Sequence, residues 1–538
     1  MLILENTFAN SAFMSDEGYQ APSRFLILGL GESGVAMAKW CLRNGAEVRL
    51  ADTREQSSLS ERQNAWLQEL RIAGLKDTLF GLLSDDLLKG IDVIGISPGL
   101  SPVQDPTYSF LVKAEEAEID VWSEIEFFAR AISALSRMAQ AQESIYEAAV
   151  LAITGTNGKT TTTALTGQLC ERAGKKVAVA GNISPAALEK LMSCLDLADQ
   201  IVDMPDVWVL ELSSFQLVYT HTLNATAATV LNITQDHLDW HGDMQAYADA
   251  KSRIFGADTV CILNRDDSLV MGLLSDEQKA EKSIVTFGSN RPDEQGAFGI
   301  EHDLRAGGID WLVWAEVDED VEPKRRRKTV TVEDDEPLRL KRLIPADALR
   351  IRGRHNALNA LAALALARAA NLPMNLLLHG LRDYHGEPHR VQSIAIVKDV
   401  EYVDDSKGTN VGATVAALNG LGSNELGKRI WLIAGGDGKG QDFSPLREPA
   451  LRFVKGAFVI GKDGVAIGEV LGAGIPVTNC GDLVTAVQAA AAQAISGDIV
   501  LLSPACASLD QFRDYKERAQ VFAAEVEELG MRFEGVQA

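Results

Sequence analysis

A glycine-rich turn, TGTNGKTTT at 154–162, carries the residues of this chain that are best suited to hold phosphate. An apolar strand leads into the turn and a helical pattern leads out of it, so backbone N–H groups can surround phosphate oxygens. Lys159 would offset the charge of β- and γ-phosphates, and the Thr160 hydroxyl could bind Mg²⁺. Ile153 replaces the glycine of the common NTPase pattern, and Gly155 gives a shorter loop. We predict ATP binding here; the alternative is a polar turn without a ligand.

Polar residues that follow two predicted strands could bind the metal ion that phosphoryl transfer requires. Glu211 follows VWVL, and Asp236 and His237 follow ATVLNIT. His237 and His241 in HLDWH have i, i+4 spacing, but the segment lacks the glutamate of a zinc protease motif. A Mg²⁺ ligand or a substrate contact therefore suits His237 better than zinc. His241 is predicted to lie at the surface or at a helix start.

A second glycine pattern, near the N-terminus, indicates a different nucleotide site. Gly29, Gly31 and Gly34 form G-x-G-x-x-G between the strand RFLIL and a helical segment. Asp52 ends the next strand, where dinucleotide-binding folds place the acid that binds ribose. Three interpretations are open: NAD(P) binding, binding of another nucleotide diphosphate, and glycines that only permit close helix–strand packing. Arg54 could contact a phosphate or a base in either of the first two.

Composition and charge limit the function classes. The 538-residue chain has a formal net charge of −24, which disfavours nucleic-acid binding because such proteins need a basic surface. Six cysteines without a C-x-x-C pair favour a reducing compartment. The N-terminus shows no signal-peptide pattern, and no apolar run reaches the length of roughly 18 residues that a membrane span needs. We expect a cytoplasmic protein without membrane insertion, and a monomer.

Strands alternate with helical segments along most of the chain, which predicts an α/β fold with doubly wound parallel sheets. Three successive α/β units follow from this pattern, the third beginning near Glu387. A helix is predicted over 125–146. The polar stretch 288–345 is predicted to be irregular. Its basic run PKRRRK at 323–328 is interpreted as a solvated loop, with a partner or nucleic-acid contact as the alternative.

Motifs along the chain occur in an order that a known family shares: GTNGKTTT, ELSSFQL, NITQDHLDWH, YADAKSRI, RGRHNALNALAALALA, GEPHR, DDSKGTN, AGGDGKG and LLSPACASLDQF. With them the chain resembles, over 25–530, the ATP-dependent muramoyl-peptide ligases of bacterial cell-wall synthesis. The resemblance implies a UDP-binding Rossmann-like domain at 1–123 and a central P-loop ATPase domain at 124–386. It also implies a C-terminal Rossmann-like domain at 387–538 that binds the amino acid. The first glycine turn would then hold a UDP-sugar rather than NAD.

The resemblance also implies a reaction. ELSSFQL and SPACASLDQF are similar to segments of the members that add D-glutamate to UDP-N-acetylmuramoyl-L-alanine, in peptidoglycan precursor synthesis. ATP would phosphorylate the L-alanyl carboxylate, and the amine of D-glutamate would attack the resulting acyl phosphate. The alternatives are a ligase of the same fold that adds another amino acid, a folyl-polyglutamate type ligase, a nucleotide-binding regulatory protein without ligase activity, and an NAD(P) oxidoreductase.

By the same resemblance, the predicted binding residues form three sets. The ATP set comprises Gly155, Thr156, Asn157, Gly158, Lys159, Thr160, Thr161, Asn356, Asn359, Arg390, Asp405 and Lys407. The UDP-substrate set comprises Ser33, Thr53, Arg54, Ser97, Gly99, Asn182, Ser213, Gln216 and His237. The D-glutamate set comprises Thr409 and Lys439 for the α-carboxylate and Ser508 and Tyr515 for the side-chain carboxylate.

The resemblance further implies two Mg²⁺ ions and a modified lysine. Thr160 and Glu211 would bind one ion, and His237 would bind the second near the acceptor carboxylate. Lys251 stands where the family has a lysine carbamylated by CO₂, whose carbamate oxygen suits a hard cation. Without the resemblance, Lys251 would be interpreted as a surface residue of a helix. Lys159, Glu211, His237 and Lys251 are the predicted catalytic residues, and we expect domain closure to complete the site.

Overall fold

The computed structural model describes residues 23–141, 143–304, 308–317, 338–422 and 427–534. Within these ranges the strands form three sheets that occupy successive parts of the chain. The pairs inside the sheets are mostly parallel, which confirms the predicted α/β class. Among the helices of the described ranges, none combines the length and the apolar character that a membrane span requires.

The first unit is a parallel sheet with its helices packed beside it. Its strands are β1 (Arg24–Leu28), β2 (Glu47–Asp52), β3 (Asp77–Phe80), β4 (Val93–Ile96) and β5 (Asp120–Trp122), in the order β3-β2-β1-β4-β5. Its helices are α1 (Glu32–Arg43), α2 (Glu61–Ile72) and α3 (Thr107–Glu116). Because the strand order reverses between β1 and β4, a crevice opens at their carboxyl ends, and the first glycine turn lies there.

The second unit contains a nine-stranded sheet in the order β14-β13-β12-β11-β10-β9-β6-β8-β7. Its strands are β6 (Ala149–Thr154), β7 (Val177–Gly181), β8 (Val207–Glu211), β9 (Ala227–Val230), β10 (Val260–Asn264), β11 (Ile284–Phe287), β12 (Phe298–Asp303), β13 (Ile309–Val317) and β14 (Leu338–Pro345). Its helices are α5 (Lys159–Arg172), α6 (Ala187–Leu197), α7 (Ser214–Val218), α8 (Leu238–His241), α9 (Met244–Ser252), α10 (Ser268–Met271), α11 (Asp276–Glu281), α12 (Arg354–Ala369) and α13 (Met374–Asp383).

Helix α12 forms the centre of the second core. Its Ala-rich sequence buries side chains on most of its circumference, because it contacts α5 and the strands β9 to β12 at the same time. Leu361 and Leu364 are fully buried there. Small alanines let the helix approach its neighbours closely, which brings the helix next to the phosphate loop.

The prediction of irregular structure over 288–345 was wrong for the described part of that stretch. Strand β12 joins the sheet beside β11 in parallel, and β13 and β14 extend it further by antiparallel pairing. The segment IDWLVWAEV contains the apolar run WLVWA at 311–315, and Trp314 stacks on Phe298 with ring centroids 5.9 Å apart. The charged positions obscured this strand pattern. PKRRRK at 323–328 lies outside the described residues.

The third unit is a six-stranded sheet in the order β15-β16-β20-β17-β18-β19. Its strands are β15 (Gln392–Val397), β16 (Val400–Asp404), β17 (Ile430–Gly435), β18 (Val454–Ile460), β19 (Val477–Gly481) and β20 (Ile499–Leu502). Its helices are α14 (Val411–Leu421), α15 (Arg447–Phe453), α16 (Gly464–Gly472), α17 (Leu483–Gln493) and α18 (Tyr515–Glu534). Only β15 runs antiparallel to its neighbour.

The first and second units are joined by α4 (Glu124–Ala141), which ends five residues before the predicted 146. The carboxylate of Glu126 explains its position at the junction. Glu126 accepts hydrogen bonds from the backbone N–H groups of His221 and Thr222 and pairs with Arg130. The predicted domain boundaries at 123/124 and 386/387 stay predictions.

The glycines of the first turn have different steric roles, which gives a test of the fold. A Cβ at Gly34 would lie 1.8 Å from the Gly29 carbonyl oxygen, whereas a Cβ at Gly31 meets no atom within 4 Å. We expect Gly34→Ala to destabilise the first unit by about 3 kcal/mol, and Gly31→Ala to change its stability by less than about 0.5 kcal/mol. Hydrogen exchange of the β1 and β4 amides measures both effects, and equal protection in the two variants would contradict this account.

Candidate active site

The phosphate loop lies at the carboxyl end of β6, between the ends of β8 and β9. Gly155 and Gly158 have φ values of 150° and 86°, conformations that favour glycine. Asn232, at the end of the neighbouring strand, accepts the Asn157 N–H at 2.8 Å through Oδ1 and the Thr156 N–H at 2.9 Å through its carbonyl. The loop is therefore held in shape by the strand beside it.

Lys159 is the first residue of α5, and its ammonium group turns back into the loop. Nζ donates hydrogen bonds to the carbonyl oxygens of Gly155 and Thr156, both at 2.9 Å. Burial lowers the pKa of Lys159, and the nearby charge of Glu211 opposes that effect. These carbonyl oxygens are neutral, so the positive charge of Lys159 stays available to a phosphate.

Glu211 ends β8 and lies beside the loop through its pairing with Ile153. The carboxylate is buried, and Oε1 accepts a hydrogen bond from Asn182 at 2.9 Å. Within the described ranges, Oε2 is buried without a hydrogen-bond partner. An unpartnered buried carboxylate oxygen is costly, and a cation would remove that cost.

His237 follows β9 and precedes α8, with a left-handed φ of 55°. Its Nε2 lies 3.6 Å from Asp236 Oδ2, and its ring contacts the edge of Phe215 with centroids 4.8 Å apart. Burial and the charges of neighbouring lysines lower the pKa of His237, while Asp236 opposes this effect. The ring is therefore neutral near pH 7, which is the form that binds a metal or accepts a proton.

The surface prediction for His241 was wrong. The side chain is buried at the end of α8, and Nε2 lies 2.8 Å from Ser214 Oγ. Trp240 and Tyr247 pack around the ring, with centroids at 4.5 and 5.1 Å. The i, i+4 spacing with His237 gave no indication of this burial, because it arises from packing against Phe215, Trp240 and Tyr247.

Lys251 is buried on α9, so the alternative of a surface helix lysine was also wrong. Nζ donates to the Gly155 carbonyl at 3.0 Å and to Thr154 Oγ1 at 3.4 Å, and lies 4.5 Å above the Tyr247 ring. Burial, followed by the charge of Lys159, lowers the pKa of Lys251 well below its usual value. None of these contacts neutralises an ammonium, so burial here disfavours the charged form of the side chain.

The side chains that could bind Mg²⁺ would supply only some of the ligands that the ion needs. The described residues contain no cluster of three or more His, Cys, Asp or Glu side chains that could hold a metal ion. Thr160, Glu211 and His237 surround the loop, and the unpartnered Glu211 oxygen is the donor best suited to Mg²⁺. Because Mg²⁺ completes its shell with phosphates and water, this set fits an ion that arrives with a nucleotide.

A cavity of about 570 Å³ opens at the crevice of the first unit. Predicted UDP-substrate residues that line it are Ser33, Thr53, Arg54, Ser97, Gly99, Asn182 and Gln216. Two predicted members, Ser213 and His237, do not line it. Ser213 instead caps α7, where its hydroxyl donates to Gln216 Oε1 at 3.0 Å.

Asp52 does not have the role of a free ribose-binding acid. Oδ2 accepts the Leu30 N–H at 2.7 Å, and the Arg54 guanidinium donates to both carboxylate oxygens. Burial acts to raise the pKa of Asp52, but these donors outweigh it and lower the pKa. Both carboxylate oxygens of Asp52 are occupied by hydrogen bonds. The acid therefore stabilises the loop and is not available to bind the ribose of a dinucleotide.

Cations of the third unit reach the phosphate loop. Thr160 Oγ1 accepts hydrogen bonds from Arg390 at 2.9 Å and from Lys407 at 3.2 Å. Asn410, which sequence reasoning missed although it ends the motif DDSKGTN, donates to Asn157 Oδ1 at 3.1 Å. It also donates to Asp236 at 3.2 Å. The third unit therefore packs directly against the predicted ATP site.

The remaining predicted ATP residues lie on both sides of this interface. Asn359 Nδ2 donates to Asn356 Oδ1 at 3.1 Å, and the Asn359 side chain packs against Gly158. Asn356 and Arg390 line a second cavity of about 330 Å³. Asp405 does not line it; burial raises its pKa to about 7, and Ser503 Oγ donates to it at 2.7 Å. Thr161 is buried in the first turn of α5.

The predicted D-glutamate residues come from loops at the carboxyl ends of neighbouring strands. The Lys439 loop pairs with the Ser508 loop through Asp437 and Ala507, and the Ala505 N–H donates to Gly408 O beside Thr409. The charge of Lys439 is among those that lower the pKa of His237. Tyr515 begins α18, and its ring lies 5.8 Å from Lys407 Nζ. These loops therefore open toward the phosphate loop.

This arrangement defines a class of protein: a nucleotide-binding enzyme whose active site lies between α/β units. Comparison with known proteins identifies the family. The MurD-like N-terminal domain of Mur ligases matches residues 23–122, the Mur ligase middle domain matches 153–367, and the Mur ligase glutamate ligase domain matches 389–506. These matches cover most of the chain, which belongs to the Mur ligase family.

Curated relatives are similar over nearly their whole length. The protein named "UDP-N-acetylmuramoylalanine--D-glutamate ligase" of Cupriavidus pinatubonensis is 55% identical over 514 residues, 94% of this chain and 97% of the relative. Its namesake of Ralstonia nicotianae is 55% identical over 501 residues, 92% and 95% of the two chains. The crystal structure of MurF from Acinetobacter baumannii has a TM-score of 0.53 and 16% identity over 92% of this chain and 93% of that one, a likeness that shows the fold alone.

The charge of Lys407 gives a test of the nucleotide site. Burial lowers the pKa of Lys407 to about 8, so the protonated form, which binds phosphate, is lost as the pH rises above that value. We expect the affinity for ATP to fall by about fivefold between pH 8 and pH 9. Lys407→Arg keeps its charge and should flatten this dependence. Calorimetric titration with ATP at both pH values measures this dependence, and Lys175→Arg, at an exposed lysine, is the matched control. If the affinity of Lys407→Arg falls with pH as steeply as that of the natural protein, Lys407 is not the group responsible.

Proposed function

We propose that this protein is an ATP-dependent amide ligase that adds D-glutamate to UDP-N-acetylmuramoyl-L-alanine during peptidoglycan precursor synthesis. The observation that carries the proposal is the group of cations around the phosphate loop, next to a buried carboxylate with one oxygen that has no hydrogen-bond partner among the described residues. Lys159, Arg390 and Lys407 all contact the loop, and Glu211 Oε2 lies free beside it. The names of relatives that are 53–55% identical support the same acceptor and amino acid.

The first chemical step requires two anions to approach. The L-alanyl carboxylate attacks the γ-phosphorus of ATP, the bond from γ-phosphorus to the bridging oxygen breaks, and ADP leaves with the electron pair. Lys159, Arg390 and Lys407 offset the charge that the triphosphate and the carboxylate bring together. Thr160 and Glu211 would hold one Mg²⁺ ion and His237 a second, and these ions would supply Lewis-acid polarisation of the phosphate oxygens.

The second step forms the amide bond. The amine of D-glutamate attacks the acyl carbon, a tetrahedral intermediate forms, and phosphate leaves with the electron pair of the C–O bond. Lys439 and Thr409 would hold the α-carboxylate, and Ser508 and Tyr515 the side-chain carboxylate. Their loops adjoin the Lys407 loop in the third unit, so the amine can be directed at the phosphate loop.

The two cavities suit the two nucleotide moieties. The cavity at the first glycine turn would hold the uridine diphosphate of the acceptor, because Ser33, Ser97 and the backbone of Gly99 line it close to the start of α1. The smaller cavity, lined by Asn356 and Arg390, would hold the adenosine of ATP. An acceptor that spans from the first cavity to the phosphate loop passes Asn182, which contacts Glu211.

Lys251 is proposed to act as a carbamate. The neutral amine nitrogen would attack CO₂, an N–C bond would form, and a proton would leave to solvent. The resulting anion lies within reach of the phosphate loop, because Lys251 Nζ is 3.0 Å from the Gly155 carbonyl. As an anionic oxygen donor, it would add to the ligands of a hard cation.

The amino-acid dependence of phosphate release tests the proposed function. With ATP, Mg²⁺ and UDP-N-acetylmuramoyl-L-alanine, we expect phosphate release only with D-glutamate among D-Glu, L-Glu, L-Ala and L-Lys. Lys159→Ala should reduce the rate by at least about 10³-fold, because the charge it removes acts on the transferred phosphoryl group. Release with L-lysine alone would indicate a ligase for another amino acid, and nucleotide binding without release would indicate a regulatory protein.

Chemical rescue tests the carbamate. We expect Lys251→Ala to lose activity by at least about 10²-fold, since a ligand of the cation is missing. A short-chain carboxylic acid such as acetate should restore part of the activity. A carbamate carbon signal in ¹³C NMR after incubation with ¹³CO₂ should be present in the natural protein and absent in the variant. The exposed Lys175→Ala serves as control; full activity of Lys251→Ala without acetate would rule the carbamate out.

A further inference from the structure

Helix α8 is a four-residue helix that immediately follows His237 and ends with His241. Residues with positive φ flank it on both sides, His237 at 55° and Gly242 at 92°. So short a helix makes few hydrogen bonds of its own. Contacts from outside must therefore determine where the helix, and with it His237, is placed.

One set of contacts comes from the first unit. Ser101 Oγ donates to the Trp240 carbonyl at 3.0 Å, and Gln104 Nε2 donates to the Asp239 carbonyl at 2.6 Å. These are carbonyls at the C-terminal end of a helix, which the helix itself cannot satisfy. The four residues that precede Ser101, at 97–100, line the cavity of about 570 Å³. The segment that lines one side of this cavity thus also contacts α8.

A second set of contacts comes from α7. Phe215 stacks on Trp240 with centroids 4.5 Å apart and touches the His237 ring. The buried His241 Nε2 lies 2.8 Å from the buried Ser214 Oγ. Gln216, which follows Phe215 on α7, lines the same cavity. Both elements that hold α8 therefore also form walls of the cavity.

We propose that Ser101, Gln104, Ser214 and His241 form a clamp, the α8 clamp, that couples occupation of the 570 Å³ cavity to the position of His237. A ligand in the cavity orders the 97–104 segment and α7, and their hydrogen bonds to α8 then fix His237. By thermodynamic linkage, a cation on the phosphate-loop side must tighten acceptor binding by the same factor. The inference rests on the proposed function, since it takes the cavity as the acceptor site and His237 as a metal ligand.

The clamp residues are positioning residues. The test therefore measures how much Mn²⁺ and nucleotide change the affinity for the acceptor, and not the reaction rate alone. Calorimetry gives the dissociation constant of UDP-N-acetylmuramoyl-L-alanine with and without Mn²⁺ and a non-hydrolysable ATP analogue. We expect the natural protein to bind about tenfold more tightly with the two additions. In the variant Ser101→Ala with Gln104→Ala, the affinity without the additions should stay within about twofold, and the tightening should fall to about twofold or less.

His241 gives an independent test with a rescue. His241→Phe keeps the aromatic packing and removes the hydrogen bond to Ser214, so it should lose the coupling. His241→Gln places an amide nitrogen near the position of Nε2 and should restore most of it. Ser193→Ala, an exposed serine of α6 whose hydroxyl donates to Glu189 O at 3.0 Å, is the matched control outside the clamp.

The outcomes separate the clamp from the proposed function. If the natural protein binds neither the acceptor nor the Mn²⁺ nucleotide, the proposed function fails and the clamp fails with it. If it binds both and all clamp variants keep the natural coupling factor, the clamp is wrong and the function stands. Gln104→Ala alone changes only an exposed side chain and so remains testable if a buried variant does not fold. In this variant too, Mn²⁺ and nucleotide should tighten acceptor binding less than in the natural protein. Tightening by the same factor as in the natural protein would overturn the clamp.

Discussion

The active site depends on positive charge that the protein leaves without a neutralising partner. In a chain with 75 acidic residues and a net charge of −24, Lys159, Arg390 and Lys407 donate to carbonyl and hydroxyl oxygens near the phosphate loop. Burying such charges is costly, and the lowered pKa values of Lys159 and Lys407 reflect that cost. A triphosphate and a carboxylate bring the missing negative charge, so the unfavourable free energy of the empty site becomes binding energy and transition-state stabilisation.

Parallel sheets explain why residues so far apart in sequence meet there. In each unit the polar side chains follow the carboxyl ends of neighbouring strands, where loops converge. The register of β6 pairs Ile153 with Glu211 of β8 and Thr154 with Val230 of β9, and so determines where the phosphate loop and the acid lie. The third unit contributes its loops at the same face, which explains why Arg390 can touch Thr160 across 230 residues of chain.

The first unit contacts residues of the second unit next to the predicted catalytic residue His237, in addition to forming its own cavity. Its cavity adjoins the elements that hold α8, and the carbonyls of that short helix are satisfied by Ser101 and Gln104 rather than by the helix itself. An acceptor that binds in the first unit must present its carboxylate to the second. Under the proposed function, contacts that place His237 from the cavity side would let the enzyme position this residue when the acceptor binds.

The sequence by itself determined the α/β class, the phosphate loop and the order of three units, because strand alternation, glycine turns and capping are local properties of the chain. Motif resemblance added the reaction class and the predicted site residues. Burial depends on packing between distant segments, so only the tertiary structure decided that His241 and Lys251 are interior and that Asp52 is occupied by Arg54. The strands between 288 and 345 could likewise be recognised only in the structure, because their stability depends on the pairing of β12, β13 and β14 with one another.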